Sequence, residues 1–161
     1  MGSSWVAAHL GCHYVACEVK VPSFFLKNLE TKKTDILGIQ EKGLYNTGHS
    51  SFTIRNIEVK VSKNDFKNGF SMLGDYNYIL APAGLLGKED MPSYVGLIEV
   101  DLKELEWKKD KIEGINIIKK SRKYEPYRVS RKNYINCLKN RMLKKHSNSQ
   151  VYRNPWFQKE G

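Results

Sequence analysis

Three features are scarce in this sequence, and each scarcity excludes a class of protein. Only three of the 161 residues are cysteines, an odd set without metal-ligand spacing, so reduced and partly buried thiols are expected instead of a disulfide framework. No apolar run approaches the length that spans a bilayer, which excludes a transmembrane helix. No basic residue precedes Lys20, so the charged start of a signal peptide is missing. We therefore expect a cytoplasmic protein without a membrane partner.

Acidic residues are scarce in the last quarter of the chain, where the positive charge is concentrated. Residues 119–161 carry 13 lysines and arginines against 2 acids, a net charge of +11. Residues 1–118 carry 14 against 15, a net charge of −1. Such asymmetry favours a polyanionic partner, with nucleic acid ahead of an anionic membrane surface. A tail that only increases solubility is the alternative.

Hydrophobic periodicity predicts one domain that mixes helices and strands. Residues 4–17 have helical spacing and predict an opening helix, which ends before Pro22. Residues 34–39 and 51–62 predict two strands joined by the long hairpin loop 41–51. Further along, we predict strands over residues 76–82, 95–101 and 114–120, a charged turn over 104–113, and no regular structure after 146.

Two more helices are predicted from local signals. Ser62 begins the first of them, because Asp65 lies three residues later in a pattern close to a capping box. Residues 130–146 form the clearest helix of the chain, with an apolar stripe that includes Tyr134, Leu138 and Met142. The stripe should dock on the body, while Arg131, Lys139 and Lys145 point outward. The candidate nucleic-acid-binding residues of this helix are Arg131, Lys132, Lys139, Arg141, Lys144 and Lys145.

One group of residues has the composition of a catalytic site. Side chains alternate along a strand, so Glu58 and Lys60 share one face of the strand 51–62. Antiparallel pairing with the strand 34–39 would bring Asp35 opposite Glu58. We expect this polar face to be exposed and the apolar face, which includes Ile57, to be buried.

Two carboxylates close together suit a hard cation such as Mg²⁺ or Mn²⁺. Such an ion can polarise a phosphoryl oxygen and lower the pKa of a bound water. Lys60 beside it can orient or deprotonate the water and stabilise the developing negative charge. Asp35, Glu58 and Lys60 are therefore the candidate catalytic residues for hydrolysis of a phosphodiester.

Asp35 in TDILGI and Glu58-Val59-Lys60 in IEVKVSKNDF resemble the signature of the PD-(D/E)XK, or restriction-endonuclease-like, nucleases. The predicted order of elements is similar to that family's α-β-β-β-α-β core, followed here by extra C-terminal strands and a basic helix. Small MmcB-like and phage-borne nuclease-like proteins look most similar, also in YNYILAPAGLLGKEDMP and GLIEVD. The resemblance implies an α/β (α+β) nuclease-like core over residues 1–120 and a basic helix and tail over residues 121–161.

The resemblance also implies roles for individual residues. Asp35 and Glu58 would be ligands of Mg²⁺ or Mn²⁺, the backbone carbonyl of Val59 a third ligand, and Lys60 the group that assists the attacking water. Glu18 is a further candidate ligand if it projects from a helix towards the metal. The implied activity is cleavage of nucleic acid, with DNA as the expected substrate, in a bacterial or phage-infected cell, and a homodimer is compatible with it.

Other interpretations of the same residues stay open. Glu-x-Lys is a weak signal, because EVKV occurs twice; the first copy, at residues 18–21, has no acid before it and is followed by Pro22. Glu58 and Lys60 could form a surface salt bridge on a solvated strand. The chain could also be a non-catalytic nucleic-acid-binding module on a nuclease fold, or an adaptor whose tail binds an acidic protein.

Overall fold

A computed structural model of the protein describes residues 10–43, 50–108, 111–146 and 151–153. These residues contain two α-helices, α1 (Lys63–Lys67) and α2 (Arg131–His146), and two short 3-10 helices, Ser23–Phe25 and Lys88–Asp90. The strands are β1 (Tyr14–Cys17), β2 (Lys20–Val21), β3 (Lys32–Lys33), β4 (Ile36–Gly43), β5 (Ser50–Val59), β6 (Tyr76–Pro82), β7 (Val95–Val100), β8 (Glu106–Lys108), β9 (Lys111–Glu113), β10 (Ile115–Lys119) and β11 (Val151–Arg153).

Seven strands form one mixed sheet in the order β10-β7-β6-β5-β4-β1-β11. β4 and β5 are the predicted antiparallel hairpin, with Ile36 opposite Ile57. β5 is parallel to β6, and β6 is parallel to β7. The connection from β5 to β6 contains α1, and the connection from β6 to β7 contains the 3-10 helix Lys88–Asp90. The fold is therefore a mixed α/β arrangement of the α+β kind, as expected.

Both faces of the sheet are covered, because apolar side chains project from the central strands in both directions. On one face, Leu37 and Ile54 pack in a cluster with Tyr134 and Leu138 of α2. The apolar stripe predicted for that helix is confirmed, since Tyr134, Ile135, Leu138 and Met142 are all buried. On the other face, Ile57 belongs to a cluster that includes Ile112 of β9. Strands that are buried on both faces have near-continuous apolar runs, which is why β6 and β7 were predictable, whereas β5 was predictable from its alternation.

The helix after β5 begins where the sequence predicts. Ser62 is the N-cap of α1, and its hydroxyl accepts a hydrogen bond from the Asp65 backbone amide at 3.0 Å. Asp65 in turn accepts a hydrogen bond from the Val61 amide at 3.2 Å. These contacts fix the direction in which the chain leaves the end of β5.

The predicted opening helix is wrong for the residues that the structure describes, and residues 1–9 lie outside them. Tyr14–Cys17 is a strand that pairs with β4 on one side and β11 on the other. Within this strand the adjacent residues Val15 and Ala16 are both fully buried, although their side chains point to opposite faces of the sheet. Such a run of apolar residues cannot be distinguished from a helix by periodicity alone.

Two predictions for the second half of the chain are also wrong. The charged residues 104–113 include a two-stranded hairpin, β8 with β9, where a turn was predicted. Val151–Arg153 forms β11 at the edge of the sheet, although no regular structure was predicted there. In both places partner strands impose a conformation for which the local sequence has little preference. No described helix has the length and apolarity to cross a bilayer.

Arg131 holds the basic helix on the sheet instead of pointing outward. Its guanidinium forms a bidentate pair with Asp75, with Nη2 2.7 Å from Oδ2, and it also donates to the carbonyl of Phe52. Asp75 is 1% exposed and accepts a hydrogen bond from the Ile54 amide at 2.8 Å. Lys139 is also turned inward, with its ammonium group 4.2 Å from the centre of the Phe52 ring. The expectation that Arg131 and Lys139 face solvent is wrong, because the sheet supplies partners for both cations.

We expect Arg131→Met to lower the free energy of unfolding by about 3 kcal/mol, because it leaves the buried Asp75 carboxylate without its cation. Lys132→Met is the matched control, since Lys132 is exposed on the same helix, and it should change stability by less than about 0.5 kcal/mol. Urea denaturation of the two variants measures the difference. Equal stability of Arg131→Met and wild type would show that the pair does not hold the helix.

Candidate active site

Asp35 and Glu58 come together as the antiparallel pairing predicts. Ile36 lies opposite Ile57, so the next pair along the hairpin joins Asp35 to Glu58. Oδ2 of Asp35 accepts a hydrogen bond from the Val59 backbone amide at 2.8 Å. The N–H and C=O of one strand residue point to the same side, so the Val59 carbonyl faces the Asp35 side of β5. The Asp35 and Glu58 carboxylates thus lie close together at the open end of the hairpin, and the Val59 carbonyl is on the same side of the strand as Asp35.

Glu58 is the most perturbed acid of this group. It is 8% exposed, and its Oε1 is buried without a hydrogen-bond partner. The Glu58 pKa is raised to about 7, chiefly by burial and then by the nearby Asp35 carboxylate, against the lowering effects of Lys60 and the Ser71 backbone amide. A buried acid beside a second carboxylate is costly to ionise in the absence of a neighbouring cation.

Lys60 is 7% exposed and lies under the chain that follows β5. Its ammonium group donates to the Gly69 carbonyl at 2.8 Å and lies 3.4 Å from Oδ1 of Asp65. Asp65 is held by the cap of α1, so the helix start and the lysine head group share one carboxylate. This arrangement places the cation beside Glu58 on the same face of β5.

The strand faces alternate as predicted, but the exposed and buried sides are exchanged at the end of β5. Glu58 and Lys60 are buried, whereas Val59 is 37% exposed and Val61 is 70% exposed. The expectation of an exposed polar face is therefore wrong. Residues 68–73 fold back over that face and cover it. Glu58 and Lys60 are therefore shielded from water, which strengthens the electrostatic interaction between them, whereas Asp35 is only half-buried.

Glu18 is not on a helix, contrary to the expectation. It lies in the bend after β1 with a positive φ of 55°, and its amide donates to the Asp35 carbonyl at 2.9 Å. Its side chain is exposed and forms an ion pair with Lys33 at 2.9 Å. Glu18 is thus a backbone neighbour of Asp35, with its carboxylate directed to Lys33.

The polar residue that sequence reasoning missed is Asn56. It is fully buried, two residues before Glu58 on the same face. Its amide nitrogen donates to the Ser71 carbonyl at 2.7 Å, and its Oδ1 accepts from the Thr34 hydroxyl. Asn56 thereby holds the segment whose Ser71 amide contacts Glu58. A polar residue at an inward-facing strand position, in register with the candidate acid, was the signal that could have identified it.

The donor set fits a hard divalent cation. Oxygen ligands from Asp35, Glu58 and the Val59 carbonyl suit Mg²⁺ or Mn²⁺, and a bound ion would supply a partner for Oε1 of Glu58. Within the described residues, no group of three or more His, Cys, Asp or Glu side chains is arranged for a metal. Further ligands would have to be main-chain oxygens or waters, which Mg²⁺ commonly retains.

The candidate nucleic-acid-binding cations of α2 fall into separate groups. Arg131 and Lys139 contact the body as described, and Arg141 is half-buried. Lys132 and Lys144 are exposed, and the side chain of Lys145 lies outside the described part of the structure. A role of these residues in binding nucleic acid stays a prediction.

Replacing Glu58 by glutamine should remove a pH dependence of stability. The Glu58 pKa is about 7 in the folded protein against a usual value of 4.5, so its contribution is fully present below pH 4.5 and is lost as the pH rises to 7. We expect Glu58→Gln to exceed wild type by roughly 1–2 kcal/mol at about pH 8 and to match it at about pH 4, since one pKa unit equals about 1.4 kcal/mol and residual solvent contact reduces the effect.

Urea denaturation across this pH range tests the expectation, with Glu89→Gln as the control because Glu89 is exposed. A constant stability difference between Glu58→Gln and wild type at every pH would contradict it.

Comparison with known proteins bears on the fold alone. No protein-family model matches the chain, and no curated protein matches it. A solved structure of a Silicibacter pomeroyi protein of unknown function is similar, with a TM-score of 0.58 and 18% sequence identity. The match covers 92% of this chain and 85% of that one. The chain is therefore similar in fold to that protein over nearly its whole length.

Proposed function

We propose that this protein is a metal-dependent nuclease that hydrolyses phosphodiester bonds in DNA, with Asp35, Glu58 and Lys60 as its catalytic residues. The observation that carries the proposal is the meeting of three groups at the end of the β4–β5 hairpin. Asp35 contacts the Val59 amide, Glu58 has a buried oxygen without a partner, and the Lys60 ammonium lies on the same face. Surface salt bridges do not produce such an orphaned carboxylate oxygen, because exposed acids are satisfied by water.

The order of elements supports membership of the PD-(D/E)XK group. Its core order of three strands, a helix and a fourth strand is matched by β1, β4, β5, α1 and β6, and these four strands are neighbours in the sheet. The insertions relative to that order are the short strands β2 and β3. The first helix of the core has no counterpart among residues 10–43, 50–108, 111–146 and 151–153.

The chemistry assigned to the carboxylates is cation binding. Asp35 and Glu58, with the Val59 carbonyl, would hold Mg²⁺ or Mn²⁺, which when bound supplies positive charge for polarising a phosphoryl oxygen. The burial of Glu58 keeps bulk water from one of these oxygens. Protonation of Glu58 competes with this role, so the site should bind the cation more weakly as the pH falls below about 7.

Lys60 is assigned the protein's own part in the hydrolysis. A water oxygen bonds to phosphorus, the bond from phosphorus to one sugar oxygen breaks, and a proton is transferred to that departing oxygen. The Lys60 ammonium donates to the water or to a phosphoryl oxygen and stabilises the negative charge that develops there. Gly69 and Asp65 hold the ammonium in position before substrate arrives.

A non-catalytic nucleic-acid-binding module is the second candidate, and one observation favours it. The Lys60 ammonium already has two partners, so it could serve to anchor residues 65–69 over the sheet. In that case Lys60 stabilises the fold and no bond is cleaved. Metal dependence and product formation separate the two candidates.

We expect Asp35→Asn, Glu58→Gln and Lys60→Met each to reduce DNA cleavage by at least about a hundredfold, because each removes a charge from the reacting centre. Labelled single-stranded, duplex and branched DNA incubated with Mn²⁺ provide the assay, and a chelator should abolish cleavage. Lys63→Met is the matched control, since Lys63 is an exposed lysine of α1 close to the site, and it should retain activity.

Thermal unfolding with and without Mn²⁺ provides a readout besides activity. The cation should raise the melting temperature of wild type and of Lys63→Met, and it should not raise that of Asp35→Asn or Glu58→Gln. Full cleavage by Glu58→Gln would overturn the catalytic assignment. DNA binding without cleavage or metal-dependent stabilisation would favour the non-catalytic module.

A further inference from the structure

A second concave site lies on the sheet face that α2 covers, away from the carboxylates. It is a cavity of about 610 Å³ between the first half of β5 and the first turns of α2. Ser51, Phe52 and Thr53 line it from β5, and Arg131, Lys132 and Asn136 line it from α2. Lys123 and Asp75 complete its charged lining. The cavity is open to solvent and rich in hydrogen-bond donors.

The charge of this cavity is positive. Its lining contains three cations, Lys123, Arg131 and Lys132, and one carboxylate, Asp75, which leaves a net charge of +2. Asp75 is buried, and its carboxylate already pairs with Arg131 and accepts a hydrogen bond from the Ile54 amide. Lys123 and Lys132 are exposed, and neither forms an ion pair with any residue that the structure describes. The two lysines are therefore available to a ligand that carries negative charge.

The start of α2 adds to this preference. The first turn of the helix contains Arg131 and Lys132 and no acidic residue. Cations at a helix N-terminus are unfavourable next to the positive end of the helix dipole, and an anion there relieves the repulsion. The side-chain amide of Asn136, which also lines the cavity, can donate hydrogen bonds to oxygen atoms of that anion.

We propose that this cavity is a phosphate-binding subsite for a nucleic-acid strand, with Lys123 and Lys132 as its phosphate ligands. The inference rests on the proposed function, because it assigns a path to the same substrate. Phosphate is favoured over a carboxylate-bearing small molecule because two lysines at the rim of an open cavity suit a repeating, flexible polyanion. The subsite increases the affinity for the strand and fixes its position along the protein, and it takes no part in bond cleavage.

The spacing between the two sites is compatible with one strand. Thr53 at the cavity and Glu58 at the carboxylate pair are five residues apart on β5, which corresponds to roughly 17 Å along the strand. That distance equals about five phosphate steps along one strand of a duplex at 3.4 Å each, and fewer along an extended single strand. A substrate that reaches both sites must therefore extend several nucleotides beyond the scissile bond.

Binding of a labelled single-stranded oligonucleotide, measured by fluorescence anisotropy in chelator, tests the subsite without involving the metal. We expect Lys123→Glu with Lys132→Glu to weaken binding at least about tenfold and to flatten the salt dependence by roughly 1.4 in the slope of log K against log salt, the value for two lost phosphate contacts on a single strand. Lys103→Glu is the matched control, because Lys103 is an exposed lysine in the turn after β7. Lys123→Arg with Lys132→Arg should bind as wild type does, because the positive charges are kept.

Equal affinity and equal salt slope of the cavity variant and Lys103→Glu would overturn the subsite. Polyglutamate that competes as well as unlabelled oligonucleotide would also overturn it, in favour of an acidic protein partner. The outcome is separable from that of the nuclease proposal. Loss of binding in the cavity variant of a protein that cleaves no DNA supports the subsite alone, whereas cleavage with unchanged binding in that variant supports the nuclease alone.

Discussion

The contact between Asp75 and Arg131 is the interaction on which the arrangement of this protein depends. Asp75 ends the chain segment that returns from α1 to the sheet, and its buried carboxylate accepts from the Ile54 amide of β5 and from the Arg131 guanidinium of α2. The Asp75 carboxylate thus joins three parts of the fold: the crossover segment between α1 and β6, the central strand β5 and the basic helix α2. Because an unpaired carboxylate at 1% exposure is strongly destabilising, this meeting point leaves little freedom for any of the three.

The same crossover segment determines the character of the candidate active site. Ser71 is held by Asn56, and the Tyr134 hydroxyl donates to the Leu73 carbonyl at 2.6 Å, so residues 71–75 are attached both to β5 and to α2. This attachment holds residues 68–73 over Glu58 and Lys60, which would otherwise lie on an open strand face. The burial that raises the pKa of Glu58 therefore depends in part on this segment, whose Ser71 backbone contacts the acid. A cation bound between Asp35 and Glu58 would offset the cost of that burial.

Local signals were sufficient for the elements that carry the candidate residues. The alternation in residues 51–62, the buried run at 76–82 and the Ser62 cap each correspond to an observed element, and the hairpin pairing of Asp35 with Glu58 follows from them. What could not be predicted depends on contacts distant in sequence. Val15 and Ala16 form a strand only because β4 and β11 flank them, and the burial of Glu58 depends on residues 68–73. Alternation along a strand separates its two faces, but it does not say which face another part of the chain will cover.

The charge of the C-terminal quarter illustrates the same limit. A net charge of +11 over residues 119–161 suggests a uniformly basic appendage, yet Arg131 and Lys139 direct their charges into the body, against Asp75 and the Phe52 ring. The net charge of the segment does not show which cations remain available to a ligand. The structure shows that Lys123 and Lys132 are among them. They lie where β5 and α2 approach one another, on the sheet face that also bears Glu58. Electrostatic attraction of a polyanion therefore depends on which cations the fold has already paired, and a count from the sequence overestimates it.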